Sequence, residues 1–145
     1  MRWVLASDHA AVDMRQALAV WLKDHGAVVT DLGPQTADSV DYPDKANELA
    51  AVILSHQADF GVLLCGTGIG VSIRANRYPG IRAALVHDTN TAHLARAHNN
   101  ANVLCMGGRV LDIPTAIACL ETFYTTDFEG GRHARRVEKL DKKPE

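Results

Sequence analysis

Short apolar runs bounded by polar residues or glycine alternate along this chain with stretches whose apolar positions recur every three or four residues. The first pattern reads as strand and the second as amphipathic helix. Residues 2–7 make a first strand, which ends at Asp8-His9. Met14, Leu18, Trp21 and Leu22 then recur at helical spacing until Gly26, which suits the position just past a helix end. Residues 27–31 are a second short strand. The Gly-Pro, Thr-Ala-Asp-Ser and Asp-Tyr content of residues 32–42 predicts a loop. Pro43 can begin a helix with Ala46, Leu49, Ala50, Ile53 and Leu54 on its inner face. Residues 60–64 form a third strand that stops at Cys65. Its continuous apolar run suits burial on both faces of a parallel sheet. Helical character follows around Ile73 and Ala75. Residues 81–86 read as a fourth strand, 89–98 as a helix, 102–106 as a fifth strand and 114–124 as a helix. Residues 132–140 are a last helix, rich in basic side chains.

This alternation over 145 residues predicts a single domain, 1–145, with a doubly wound parallel sheet. The architecture expected is three layers, α/β/α, Rossmann-like (flavodoxin-like), with five parallel strands and an extra C-terminal helix. Ligands in such folds sit beyond the carboxyl ends of the strands, where the strand order reverses. That edge would gather Asp8-His9, Cys65-Gly66-Thr67, His87-Asp88 and Gly107-Gly108-Arg109.

Composition changes this picture little. An apolar fraction of 47% and a charged fraction of 22% are ordinary for a globular protein. The net charge of −2 carries no basic excess, so neither a nucleic acid nor a membrane is expected as a partner. No apolar stretch approaches the roughly 18 residues that span a bilayer. The N-terminus breaks into charge too early to serve as a signal peptide. Three cysteines without a disulfide-scaffold spacing fit a reducing cytoplasm.

Candidate chemistry centres on residues 60–76. Gly66, Gly68 and Gly70 permit positive φ and close backbone approach, so successive N–H groups can point into one concavity. The start of the following helix adds partial positive charge there. An anion, or an oxygen becoming anionic during a reaction, is stabilised in such a nest. Cys65 lies at its rim, where a thiol gains reactivity. The run lacks the GxGxxG spacing, does not follow the first strand and has no Walker lysine, so it reads as a phosphate or oxyanion nest. Cys105 and Cys119 fall inside a strand and a helix and read as packing. With no CxxC and no clustered Cys/His spacing, no metal site is expected.

Other candidates have a structural reading beside the functional one. Asp8 suits a helix N-cap as well as a binding site. His98-Asn99-Asn100 ends a helix, where a cation and a left-handed asparagine are favoured locally, and a histidine there can also move protons. Arg132 and Arg136 share a helix face and could clamp a phosphate together. A solvated basic tail with Arg135, Lys139, Lys142 and Lys143 would look the same. Arg109 is the better anion ligand, since a strand and two glycines fix its backbone. Tyr42 is core or pocket wall. His25, His56, His87, His93 and His133 read mostly as surface residues.

Collected in order, Ser7-Asp8-His9-Ala10, Val40-Asp41-Tyr42-Pro43-Asp44, Cys65-Gly66-Thr67-Gly68-Ile69-Gly70, Ala75-Asn76, Gly80-Ile81-Arg82-Ala83 and His98 to Leu104 carry a resemblance. The chain resembles ribose-5-phosphate isomerase type B, in the family that also holds galactose-6-phosphate isomerase subunits and allose-6-phosphate isomerases. The likeness runs from about residue 3 to residue 140, and Gly108-Arg109 and the Arg132/Arg136 pair follow in place. It implies a metal-free, cofactor-free aldose–ketose isomerase acting on a phosphorylated sugar, typically ribose 5-phosphate to ribulose 5-phosphate. By that resemblance Cys65 is the base between C1 and C2, and Thr67 assists proton movement at the substrate oxygens. His98 opens the sugar ring, with Asp8 beside the sugar hydroxyls. Asn99 and the backbone of Gly66, Gly68, Ile69 and Gly70 would hold the cis-enediolate. His9, Arg109, Arg132 and Arg136 correspond to the phosphate site and Tyr42 to the pocket wall. Family members are homodimers or homotetramers whose active sites draw on two subunits. Two departures stand out: Ala11 replaces the usual glycine, and Val71-Ser72 replaces a commoner Ile/Met-Ser. A six-carbon sugar phosphate as substrate, a partner subunit of different sequence, and a non-catalytic sugar-phosphate sensor are the competing readings.

Overall fold

The apolar runs become five parallel strands in a computed structural model that describes residues 1–144. They are β1 (Arg2–Ser7), β2 (Val28–Asp31), β3 (Phe60–Cys65), β4 (Ala83–Leu85) and β5 (Val103–Gly107). β1, β3 and β5 are almost wholly buried because helices cover both faces, which is why their sequences do not alternate. β2 alternates exposed and half-buried positions, as an edge strand should.

The strand order is β2-β1-β3-β5-β4. β1 leads outward to β2, whereas β3 lies on the other flank of β1, so the order reverses between β1 and β3. The crossover after β3 skips one place, and β5 fills it. Register pairs Ser7 with Leu64 and Cys65 with Gly107, which aligns three strand ends at one edge.

Six helices complete the layers: α1 (Val12–Asp24), α2 (Tyr42–Leu54), α3 (Ile69–Ala75), α4 (Thr89–Ala97), α5 (Ile113–Thr125) and α6 (Arg132–Asp141). Met14, Leu18 and Leu22 of α1, Ala92 and Ala95 of α4, and Cys119, Leu120 and Phe123 of α5 bury against one face of the sheet. Leu49, Ala50 and Ile53 of α2 with Val71 and Ala75 of α3 bury against the other. Asp88 caps α4 and Asp112 caps α5, each accepting the N–H three residues on. These hydrogen bonds hold both carboxyls below their ordinary range. Arg15 of α1 is fully buried and reaches the Ser7 hydroxyl at 2.6 Å and Asp31 at 2.8 Å, so α1, β1 and β2 share one ionic tie.

Several local expectations change. The fourth strand is shorter than residues 81–86, because Ile81 closes a turn onto Tyr78 and Arg82 donates to the Asn102 side chain. Leu54 is exposed rather than inward, since α2 ends there. Asp8 starts a short 3₁₀ turn (His9–Ala11) ahead of α1, accepting the Ala10 N–H at 2.9 Å.

Candidate active site

Beyond the reversal point, the chain builds one cleft of about 420 Å³. Asp8, Tyr42, Cys65, Gly66, Thr67, Ile69, Gly70 and Ile73 line it. Cys65 ends β3 with its side chain turned onto the glycine run, and only 5% of it is exposed. The Gly68 N–H donates to its sulfur at 3.2 Å. Gly68 has φ 81°, and a Cβ there would meet Leu85 and the Met106 carbonyl, so glycine is required. The Thr67 hydroxyl accepts the Ile69 N–H at 3.2 Å and remains at the exposed rim. Pro43, behind Tyr42, sits at the start of α2, and the Tyr42 ring lies flush against Gly70, where any Cβ would strike it. The turn after β5 runs beside this nest: Gly108 donates to the Cys65 carbonyl and Arg109 to the Gly66 carbonyl, both at 2.9 Å. The Arg109 side chain passes over Gly66, 3.4 Å from where its Cβ would be.

His9 stands at the same edge, its Nδ1 accepting the Val40 N–H at 3.3 Å. Ala11 adopts φ −134°, so the missing glycine costs no backbone strain. The methyl group nonetheless fills the space a side chain at position 108 would need. Asp8 is both things the sequence allowed, an N-cap and a wall of the cleft.

His98, Asn99, Arg132 and Arg136 lie elsewhere in this chain. α4 runs back across the sheet, so His98 emerges at the amino ends of the strands, and the Asn102 carbonyl there accepts the Gly61 N–H at the start of β3. The length of β3, about 16 Å at roughly 3.3 Å per residue, separates that end from Cys65. α5 returns to the same end before α6 begins, and the Glu129 N–H donates to the Ala97 carbonyl beside His98. The expected residues therefore fall into two groups at opposite ends of the strands.

His133 belongs to the second group, correcting its reading as a surface residue. It is 8% exposed and stacks on His98 with ring centroids 4.2 Å apart and planes 13° apart. Burial first, then the neighbouring His98 and Arg132, hold His133 below its ordinary range. Glu129 Oε1 lies 3.7 Å from Nε2 of both histidines. Among the described residues these three offer donor atoms within 4.8 Å of one another. The rings are nearly parallel, so their in-plane lone pairs run side by side and do not converge on one ion. Burial pushes the thiols of Cys105 and Cys119 up, consistent with packing roles.

A family model described as Ribose/Galactose Isomerase matches residues 4–140. The chain belongs to the ribose/galactose isomerase family. As a member of that family it is an isomerase. Its fold is similar to the crystal structure of a ribose 5-phosphate isomerase from Thermotoga maritima, at TM-score 0.94 and 49% identity, covering 97% of each chain. The ribose 5-phosphate isomerase B structure from Anaplasma phagocytophilum matches at TM-score 0.91 and 51% identity, covering 96% of this chain and 95% of that one. Ribose-5-phosphate isomerase B of Escherichia coli is 36% identical over 133 residues, covering 92% of this chain and 89% of that protein. Among the described residues, no helix of this family member is long and apolar enough to cross a membrane.

Proposed function

We propose that this isomerase interconverts D-ribose 5-phosphate and D-ribulose 5-phosphate without a metal. The observation that carries the reading is the Cys65 sulfur held against the Gly68 amide at the base of a glycine-walled cleft. Isomerisation needs a base beside a carbon and fixed donors for the oxyanion that forms next to it. Cys65 and the amides of residues 66–70 supply these two functions within one turn of chain.

The steps follow from those roles. In the cyclic aldose the bond from C1 to the ring oxygen breaks, its electron pair going to that oxygen. His98 gives the ring oxygen a proton, and the proton of the anomeric hydroxyl passes to the imidazole so vacated, with Asp8 beside the sugar hydroxyls. The Cys65 thiolate then takes the C2 proton, and the electron pair moves through the new C1–C2 double bond onto the carbonyl oxygen. The nest amides and Asn99 hold the resulting cis-enediolate, and Thr67 helps a proton pass between its oxygens. Cys65, its proton having exchanged in part with solvent, returns a proton to C1, leaving the ketose. His9, Arg109, Arg132 and Arg136 bind the phosphate, which is remote from the reacting carbons and supplies orientation.

This assignment needs two copies of the chain, each pairing its Cys65 cleft with the His98 end of the other. Tyr42, Ile69 and Ile73 support that reading, since all are exposed apolar residues lining the cleft. The test is turnover of ribose 5-phosphate and allose 6-phosphate side by side, with a chelator present and the molecular mass measured in the same buffer. Turnover of the pentose by an oligomer is expected. Turnover of the hexose alone would overturn the substrate, and binding without turnover would make the protein a sensor.

A further inference from the structure

The His98 end holds two groups that the proposed chemistry has not used. Glu129 and His133 surround His98, and both are placed by the backbone rather than by chance contact of long side chains. Glu129 is pinned by its own N–H on the Ala97 carbonyl at 3.0 Å. Arg96 fastens the same corner from inside, donating to Asn100 Oδ1 at 2.9 Å, the Ala101 carbonyl at 2.7 Å and the Thr126 carbonyl at 3.3 Å. His133 is buried one turn before Val137, which anchors that face of α6.

We propose that Glu129 and His133 are positioning residues for His98, making a unit in which two stacked rings hold one proton and Glu129 fixes it there. The inference rests on the reading of His98 as the ring-opening group. Its physical basis is geometric. Two imidazolium rings face to face at 4.2 Å repel, so the stack disfavours charge on both rings at once. One carboxylate equidistant at 3.7 Å from both Nε2 atoms favours the singly charged pair over the neutral one. The other charges acting on His133 are the α6 guanidinium groups of Arg132 and Arg136, which oppose its protonation. Arg96, on α4, is turned inward onto carbonyls and the Phe60 and Phe123 rings, and Asp127 of the linker faces Arg96. Glu129 is therefore the one carboxylate among the groups named here that lies within 4 Å of the pair. The stack also fixes the plane of the His98 ring, so its proton is presented along one direction.

The test exploits a difference between the two substrates. Ribose 5-phosphate is cyclic and must be opened. Ribulose 5-phosphate has its C5 oxygen blocked by the phosphate and is open-chain, so loss of its C1 proton to solvent bypasses ring opening. In Glu129→Gln, turnover of ribose 5-phosphate should fall by about tenfold, while C1 exchange of ribulose 5-phosphate into D₂O stays within about twofold. The high-pH limb of the ribose 5-phosphate profile should move to lower pH, because loss of the carboxylate makes the shared proton leave earlier. His133→Phe keeps a stacked ring without a charge and should reproduce the split between the two rates. An equal fall in both rates for Glu129→Gln, or no change in either rate or profile, overturns the proposal. Absence of ribose 5-phosphate turnover by the unaltered protein would sink the ribose 5-phosphate reading itself, and this inference with it.

Discussion

The Gly68 N–H donates to the Cys65 sulfur across 3.2 Å, at the point where β3 gives way to the glycine nest. That contact ties the proposed base to the proposed oxyanion site, since the turn that aims the sulfur also aligns the amides. A hydrogen bond to sulfur is stronger when the sulfur is anionic, so the same contact would steady the thiolate that the proposed proton abstraction requires.

Replacing Cys65 by alanine should lower turnover by at least about 100-fold while leaving sugar-phosphate binding within about threefold. Steady-state kinetics with calorimetric titration of ribose 5-phosphate separate the two effects. Near-normal turnover would remove Cys65 from the mechanism.

The proposed pairing of opposite rims across two copies makes a prediction that no single-site enzyme shares. Cys65→Ala and His98→Asn should each be nearly inactive alone, yet regain activity when unfolded and refolded together. In a mixed dimer one site carries both substitutions and the other carries neither. Random mixing therefore restores about a quarter of the unaltered activity, by simple counting over a two-fold interface. No recovery after confirmed mixing would place both residues in one protomer's site.

Much of this arrangement is legible in the chain, and the misses have physical causes. The strands β1, β3 and β5 announce themselves because burial on both faces leaves no polar position to blur the run. The cleft side follows from topology alone, since Cys65 ends a strand and Asp8 and Arg109 stand just past strand ends. His133 was illegible because basic residues dominate the composition of α6, although Arg132, Arg135, Arg136 and Lys139 share a single face of it. Val137 and Leu140, at i+4 and i+7 from His133, mark the face of α6 opposite the basic one. Strand order is not written locally either: nothing in residues 76–107 says that β5 slips between β3 and β4.

Gly107 tests how tightly the nest is wedged. A Cβ there would lie 2.6–2.7 Å from backbone atoms of Thr67, which cannot swing away as a side-chain tip could. Gly107→Ala should destabilise the fold by about 1–3 kcal/mol and lower turnover more than it weakens substrate binding. Urea unfolding and steady-state kinetics on the same preparation read both. Unchanged stability and turnover would show that the 65–70 turn yields freely.

His133 makes stability depend on pH in a stated direction. Its ordinary value is 6.5, and in the folded chain burial, then His98 and Arg132, lower it, with Glu129 offsetting part of the shift. The unfolded chain therefore binds a proton that the folded chain excludes, so the contribution is fully present above 6.5 and is lost as pH falls below it. The urea midpoint should fall between about pH 7.5 and pH 5.5, and His133→Phe should flatten that fall because its ring stays neutral throughout. Other histidines titrate in the same window, so the difference between the two slopes is the quantity to read. Equal slopes would mean that His133 meets the same proton balance folded and unfolded, and its burial against His98 would then carry no electrostatic cost.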